Sequence, residues 1–356
     1  MNNDAKYIGF DVHEATISGA VRDSAGKLVM EAILETKAET ILQFVHGLRG
    51  SLHVIFEEGT WAAWLHDLLQ PHVTRVVASD PRKNALLKDG NKNDRMDARK
   101  LSELLYLNKF TAVYHGQHGL RTLRELARSY ITITRDLVRV MSRLKAIYRS
   151  WGIHCAGQQV YSPRYRAEWL AKIAEPGVRR RAELYYLQFD TLAALRQGVR
   201  RELLTESQKH QATRLLRQIP SIGPIRAALL VALMQTPNRF RTKRQLWAYC
   251  GLALRTYTSG EYRFVGGQLQ RSKKTLAIRG LNINHNHDLK NIFKGAATLA
   301  AATAGPFKDF YESCIARGVK PHLARLTLAR KIAAITLHVW KKGESFNAEH
   351  LKQQAA

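Results

Sequence analysis

The chain has 356 residues, 45% of them hydrophobic, which is enough for two or three cored domains and excludes a disordered polymer. Its formal charge of +27 is unevenly placed: residues 1–119 hold 14 Lys+Arg and 15 Asp+Glu, whereas residues 120–356 hold 42 and 14. A protein that is merely basic and soluble does not account for that split; a near-neutral module joined to a strongly basic one suits a nucleic-acid partner.

In chain order, Ile8 to Val12 reads as a strand, Thr16 to Val21 as a second, and Asp23-Ser24-Ala25-Gly26 as the turn into a third, Lys27 to Leu34. Ala38 to Leu48 has helical spacing, Leu52 to Phe56 is a strand, and Thr60 to Leu69 is a helix stopped by Pro71. Val73 to Ala78 is another strand, and Asn93 caps a helix running to Leu107, with Leu101, Leu104 and Leu105 on one face. Three strands followed by alternating helices and strands predict a mixed α/β sheet in the order of an RNase H-like fold. Residues 118–150 and 163–218 carry apolar residues at helical spacing and read as a long, Arg-rich hairpin or coiled coil, interrupted near Gly152 to Ser162. Acids are scarce there, so pairing within the helices cannot neutralise those arginines. Ile219-Pro220-Ser221-Ile222-Gly223-Pro224 looks like a helix-hairpin-helix turn, which would offer a phosphate the amides near Gly223 and the Arg226 side chain. A polar loop at Thr256 to Glu261, a basic run at Arg271, Lys273 and Lys274, and further basic helices complete a mainly α-helical C-terminal part. The expected boundaries are residues 1–115, 116–212, 213–345 and a tail, 346–356.

Cys155, Cys250 and Cys314 are far apart and form no CxxC pair, which argues against a disulfide framework or structural zinc and fits a reducing cytoplasm. No signal peptide is legible before the first strand, and the best apolar run, Ala227 to Met234, is far too short to span a membrane.

Four acids carry the chemistry. Asp11 interrupts an apolar strand, where a carboxylate is costly unless paired or metal-bound. Glu57 ends a second apolar run, and Asp94 and Asp97 lie three apart at the head of a helix. Acids so placed can converge on two hard cations, a device for cutting phosphodiesters. Lys92, Arg95 and Arg99 flank them and are placed to hold the strand being cut. Glu58 competes with Glu57, but adjacent strand residues face opposite ways, so one of the two reaches the site, and Glu57 is preferred. Ser259 sits in a Ser-Gly loop; alone it reads as a turn, since a serine nucleophile needs an activating partner. His285-Asn286-His287-Asp288 is too sparse for a metal site and reads as hydrogen-bonding or phosphate contact. The six tryptophans read as core.

Taken together, these segments resemble the insertion-sequence transposases with an Asp-Glu-Asp-Asp RuvC-like domain, relatives of the Piv DNA invertase. The match is carried by Gly9-Phe10-Asp11-Val12, Phe56-Glu57-Glu58-Gly59, Lys92-Asn93-Asp94-Arg95-Met96-Asp97-Ala98, Ile219 to Pro224, Arg239-Phe240, Gly251-Leu252 and Ser259-Gly260, in that order across nearly the whole chain. The resemblance implies a DNA recombinase that excises and inserts its own element. Asp11, Glu57, Asp94 and Asp97 would bind Mg2+, with Mn2+ as a substitute, and Ser259 would form a covalent phosphoserine link to DNA. It further implies a non-coding bridge RNA that pairs with double-stranded donor and target DNA, a homotetramer, and a nucleoid-associated protein of a prokaryotic cytoplasm. The chain departs from the family at Ser221, where a glycine is usual, and in the Glu57-Glu58 pair. Two alternatives stand beside this reading: a RuvC-like nuclease that hydrolyses DNA without a serine, and a non-catalytic nucleic-acid-binding protein.

Overall fold

A computed structural model describes residues 4–82, 93–115, 118–257, 262–271 and 277–351. The chain divides into two compact units, Met1–Gly116 and Gln117–Ala356. No described helix is long and apolar enough to cross a membrane.

The first unit holds a six-stranded sheet of β1 (Ala5–Val12), β2 (Thr16–Arg22), β3 (Leu28–Glu35), β4 (Ser51–Glu57), β5 (Arg75–Ser79) and β6 (Ala112–Val113), in the order β3-β2-β1-β4-β5-β6. β1, β2 and β3 form an antiparallel meander; β4 lies parallel to β1 and β5 parallel to β4. Strand alternation sorts the side chains. Ile8 and Phe10 of β1, with Val54 and Phe56 of β4, join Ile41 and Val45 of α1 (Ala38–His46) and Leu65 and Leu69 of α2 (Ala62–Leu69) in one core. Ile55 of β4 and Val77 of β5 meet Leu101 and Leu105 of α3 (Asp94–Tyr106) in another. Each such buried apolar side chain contributes on the order of 1.5–3 kcal/mol, so a register slip of one residue would forfeit both cores. The expected strands and helices occur within a few residues of their anticipated ends; the two-residue β6 was not anticipated.

In the second unit, α4 (Arg121–Ser150) and α6 (Pro176–Ser207) form the long hairpin. They run antiparallel: the Tyr148 and Tyr186 hydroxyls meet at 3.0 Å near the tip, and Arg196 donates to the Thr134 and Tyr130 hydroxyls farther down. The tip is filled by residues 151–175, including α5 (Arg166–Ala171), with Trp169, Val160 and Ile173 buried between the two long helices. At the base, Leu123, Ala127 and Leu203 share one core with α7 (Gln211–Leu216), α8 (Pro224–Met234), α9 (Lys243–Tyr249), α10 (His287–Ala302), α11 (Pro306–Ala316) and α12 (Pro321–Lys342). That shared core joins the hairpin to the C-terminal helices within one compact unit.

The structure differs from expectation in three further ways. Two small two-stranded sheets, β10 (Ala277–Leu281) with β7 (Leu254–Tyr257) and β8 (Tyr262–Val265) with β9 (Gln268–Arg271), were not anticipated; Thr256 and Tyr257 of the expected loop lie in β7, Arg271 of the basic run ends β9, and residues 258–261 and 272–276 lie outside the described residues. The anticipated tail docks in part: Leu351 is buried and Phe346 packs on Phe307. Of the tryptophans read as core across the whole chain, Trp61 and Trp151 are exposed, at 37% and 47%. Helical spacing alone does not say which face finds a neighbour.

Candidate metal centre

Asp11 is the third of Tyr7, Gly9 and Asp11 along the β1 face that carries α3, and its neighbours Phe10 and Val12 point the other way. β1 pairs with β4 up to Phe10–Phe56, so Asp11 and Glu57 are the next residues of two adjacent parallel strands, on one face. Gly9 lets α3 lie directly on the sheet: a Cβ there would stand 2.3 Å from the Ala98 carbonyl oxygen and 2.4 Å from the Ser102 nitrogen. The helix therefore begins just beyond the C-terminal end of β1. Asn93 starts it, its Oδ1 accepting from the Arg95 amide at 3.1 Å, and the first turn presents Asp94 and Asp97.

Asp11, His13 and Asp94 place one ligand atom each within 4.8 Å of one another. His13 Nε2 lies 3.3 Å from Asp11 Oδ2 and 3.6 Å from Asp94 Oδ1. Burial raises the Asp11 pKa above its ordinary value; His13 opposes this, and the charges of Asp94 and Asp97 add to the rise. Asp97 Oδ1 is buried without a hydrogen bond, and the Lys100 ammonium lies 3.8 Å from it. A half-buried carboxylate repelled by two others, with an orphaned carboxylate oxygen beside it, is a donor set that a hard divalent cation would relieve. His13 was missed from the sequence. The legible signal was Asp11-x-His13, which puts both side chains on one face where β1 ends.

Glu58 is engaged elsewhere: its carboxylate is 2.7 Å from His115 Nε2, and His115 stacks on His66. Glu57 lies on the Asp11 face by alternation, outside the tight Asp11–His13–Asp94 group. Arg99, expected to hold a nucleic-acid strand, instead forks onto Glu31 of β3 with bonds of 2.7 and 2.5 Å. Arg95 is exposed at the helix start. Lys92, Ser259, Lys273 and Lys274 lie outside the described residues.

In the second unit, Gly223 begins α8 in open space, with nothing within 4 Å of an added Cβ. Arg226, also expected on phosphate, turns back and donates to the Ser221 carbonyl at 2.9 Å. Ser221 itself takes φ 69°, in the left-handed region, where a glycine would sit without strain. Arg271 ends β9. Asn286 caps α10, and Asp288 pairs with Arg135, so part of the His285–Asp288 stretch serves the fold.

Residues 8–150 match the model of a transposase family, DEDD_Tnp_IS110, and residues 213–312 match Transposase_20, described as the transposase IS116/IS110/IS902 family. No curated protein matches the chain. The acidic site falls inside the first match and the turn from Ile219 to Pro224 inside the second, so the chain carries the domains of an IS110/IS116 transposase and is a DNA transposase, an enzyme of DNA recombination.

Proposed function

We propose that Asp11, Glu57, Asp94 and Asp97 hold divalent metal, Mg2+ or Mn2+, and that this centre cuts DNA strands at the ends of an insertion sequence. The observation that carries this reading is the gathering of Asp11 and Asp94 within 4.8 Å, in the field of Asp97, at the end of the strand next to Glu57. The sheet order, with the meander β3-β2-β1 beside parallel β4 and β5, supports an RNase H-like (RuvC-like) reading of the first unit. Bound metal would polarise the scissile phosphate and stabilise charge on the leaving oxygen. The chain's own part is to hold the carboxylates ionised and aimed. His13, between Asp11 and Asp94, keeps the two in one orientation.

The DEDD-type match conflicts with an obligatory serine intermediate, because metal-held carboxylates can cut a phosphodiester with water as the nucleophile. Covalent attack by Ser259 is therefore the second reading, favoured by the position of Ser259 within the matched 213–312 domain. The basic second unit suits backbone contact with nucleic acid, in keeping with guidance by a paired RNA and with assembly of several copies, a tetramer in the resembled family.

The test combines protein, Mg2+, RNA from the flanking region and labelled element-junction DNA, followed by denaturation and electrophoresis. Cleavage lost in Asp11→Asn and in the absence of divalent metal supports the centre; cleavage that survives both overturns it. A protein–DNA adduct lost in Ser259→Ala selects the serine route, and free cleaved ends with no adduct select water. Product formed equally well without RNA removes the guide.

A further inference from the structure

A cavity of about 470 Å3 opens beside α10 and α12 in the second unit. Its volume falls within the roughly 300–1,000 Å3 of pockets that take ligand-sized groups. Lys290 and Lys294, one turn apart on α10, face it, as do His322 and Arg325 of α12, while Leu281 and Leu326 supply apolar wall. No carboxylate is among the described residues lining it. The nearby Asp288 is spent on Arg135.

Such a gathering of cations is costly as it stands. Lys290 is partly buried, and both that burial and the charge of Lys294 push its pKa down from the ordinary lysine range. Its ammonium leans on His285 Nε2 at 3.4 Å, a partner that brings no negative charge, and so points in a defined direction. An anion placed among Lys290, Lys294 and Arg325 would relieve the repulsion. The leucines beside them would cover the less polar part of the same ligand.

We propose that this pocket is a nucleotide-sized subsite for the nucleic-acid backbone, with one phosphate held by Lys290, Lys294 and Arg325 and its sugar against Leu281 and Leu326. The proposal rests on the transposase reading for the identity of the polymer, and DNA and RNA offer it the same chemistry. Contacts to phosphate and sugar carry no sequence information, so such a subsite positions the strand without specifying sequence.

The experiment measures binding of the full chain to labelled duplex DNA, single-stranded DNA and RNA across a series of salt concentrations. Lys294→Gln/Arg325→Gln removes two exposed charges from the pocket; Arg200→Gln/Arg201→Gln removes two exposed charges from α6 as a control. Circular dichroism checks that both variants are folded. The pocket pair should lower the slope of log affinity against log salt by about 2 and weaken binding roughly 10- to 100-fold on the polymer that uses the pocket, and the control should change both by less than half as much. The polymer that shows the change names the source of the phosphate. Equal losses in the two variants would mean a diffuse basic field and overturn the subsite. Wild-type protein that binds none of the three polymers overturns the nucleic-acid reading and the subsite with it; wild-type binding untouched by the pocket pair overturns the subsite alone.

Discussion

A Cβ on Gly9 would stand 2.3 Å from the carbonyl oxygen of Ala98, so β1 and α3 meet backbone to backbone at that point. The contact fixes where α3 starts, and with it how near Asp94 comes to Asp11.

Gly9→Ala should therefore cost more than an ordinary strand substitution. The methyl would strike main-chain atoms that cannot turn aside, so α3 must lift from the sheet. We expect a loss of about 3 kcal/mol or more in urea unfolding, together with loss of metal-dependent cleavage in whatever protein remains folded. A variant as stable as wild type would contradict the close approach.

Asp11 should trade stability for function. Its folded pKa lies above its ordinary value of 3.8, with burial the largest cause. An acid shifted this way contributes its stability fully below the unfolded pKa and loses it as pH climbs through the folded pKa. In metal-free wild type the Asp11 contribution should thus fade as pH rises above about 4, and the stability difference between Asp11→Asn and wild type should grow in the variant's favour over the same range. Near neutral pH the variant's first unit should melt a few degrees higher, a gain on the order of 1 kcal/mol, while cleaving no DNA. Added Mg2+ should raise the melting temperature of wild type and leave the variant nearly unchanged.

The two glutamates should separate cleanly. Glu57 shares the Asp11 face, whereas Glu58 is bound to His115. Glu57→Gln should reduce cleavage by about 100-fold or more, and Glu58→Gln by less than about 3-fold. The reverse order, measured with saturating metal, would move the ligand to Glu58.

His13→Ala should leave the fold intact, since the ring is half exposed, yet weaken the centre by roughly 10- to 100-fold, read as a higher Mg2+ concentration for half-maximal cleavage. Unchanged metal dependence would reduce His13 to a bystander.

Arg226→Met should behave as a structural change. Its guanidinium holds the Ser221 carbonyl across the turn, so the variant should lose about 1–2 kcal/mol in thermal unfolding and keep its affinity for DNA. A folded variant that binds DNA several-fold more weakly would restore the phosphate contact expected from sequence.

Local pattern determined much of this protein. Short apolar runs bounded by polar or turn residues marked β1, β2 and β4, apolar spacing marked α3 and the long hairpin, Asn93 marked where α3 begins, and an acid inside an apolar strand marked Asp11. These signals are legible because each depends on neighbours within a turn or two of chain. Tertiary structure decided the rest. The chain does not say that Arg99 will find Glu31 on β3, that His13 will lie between Asp11 and Asp94, or that Lys290 and Arg325 will open onto one cavity. Nor does it show that the base of the hairpin will share a core with α12. Each of those pairs joins elements far apart in the chain, and what brings them together is the burial of apolar faces against one another. That burial depends on the shapes of both surfaces, which no local period records.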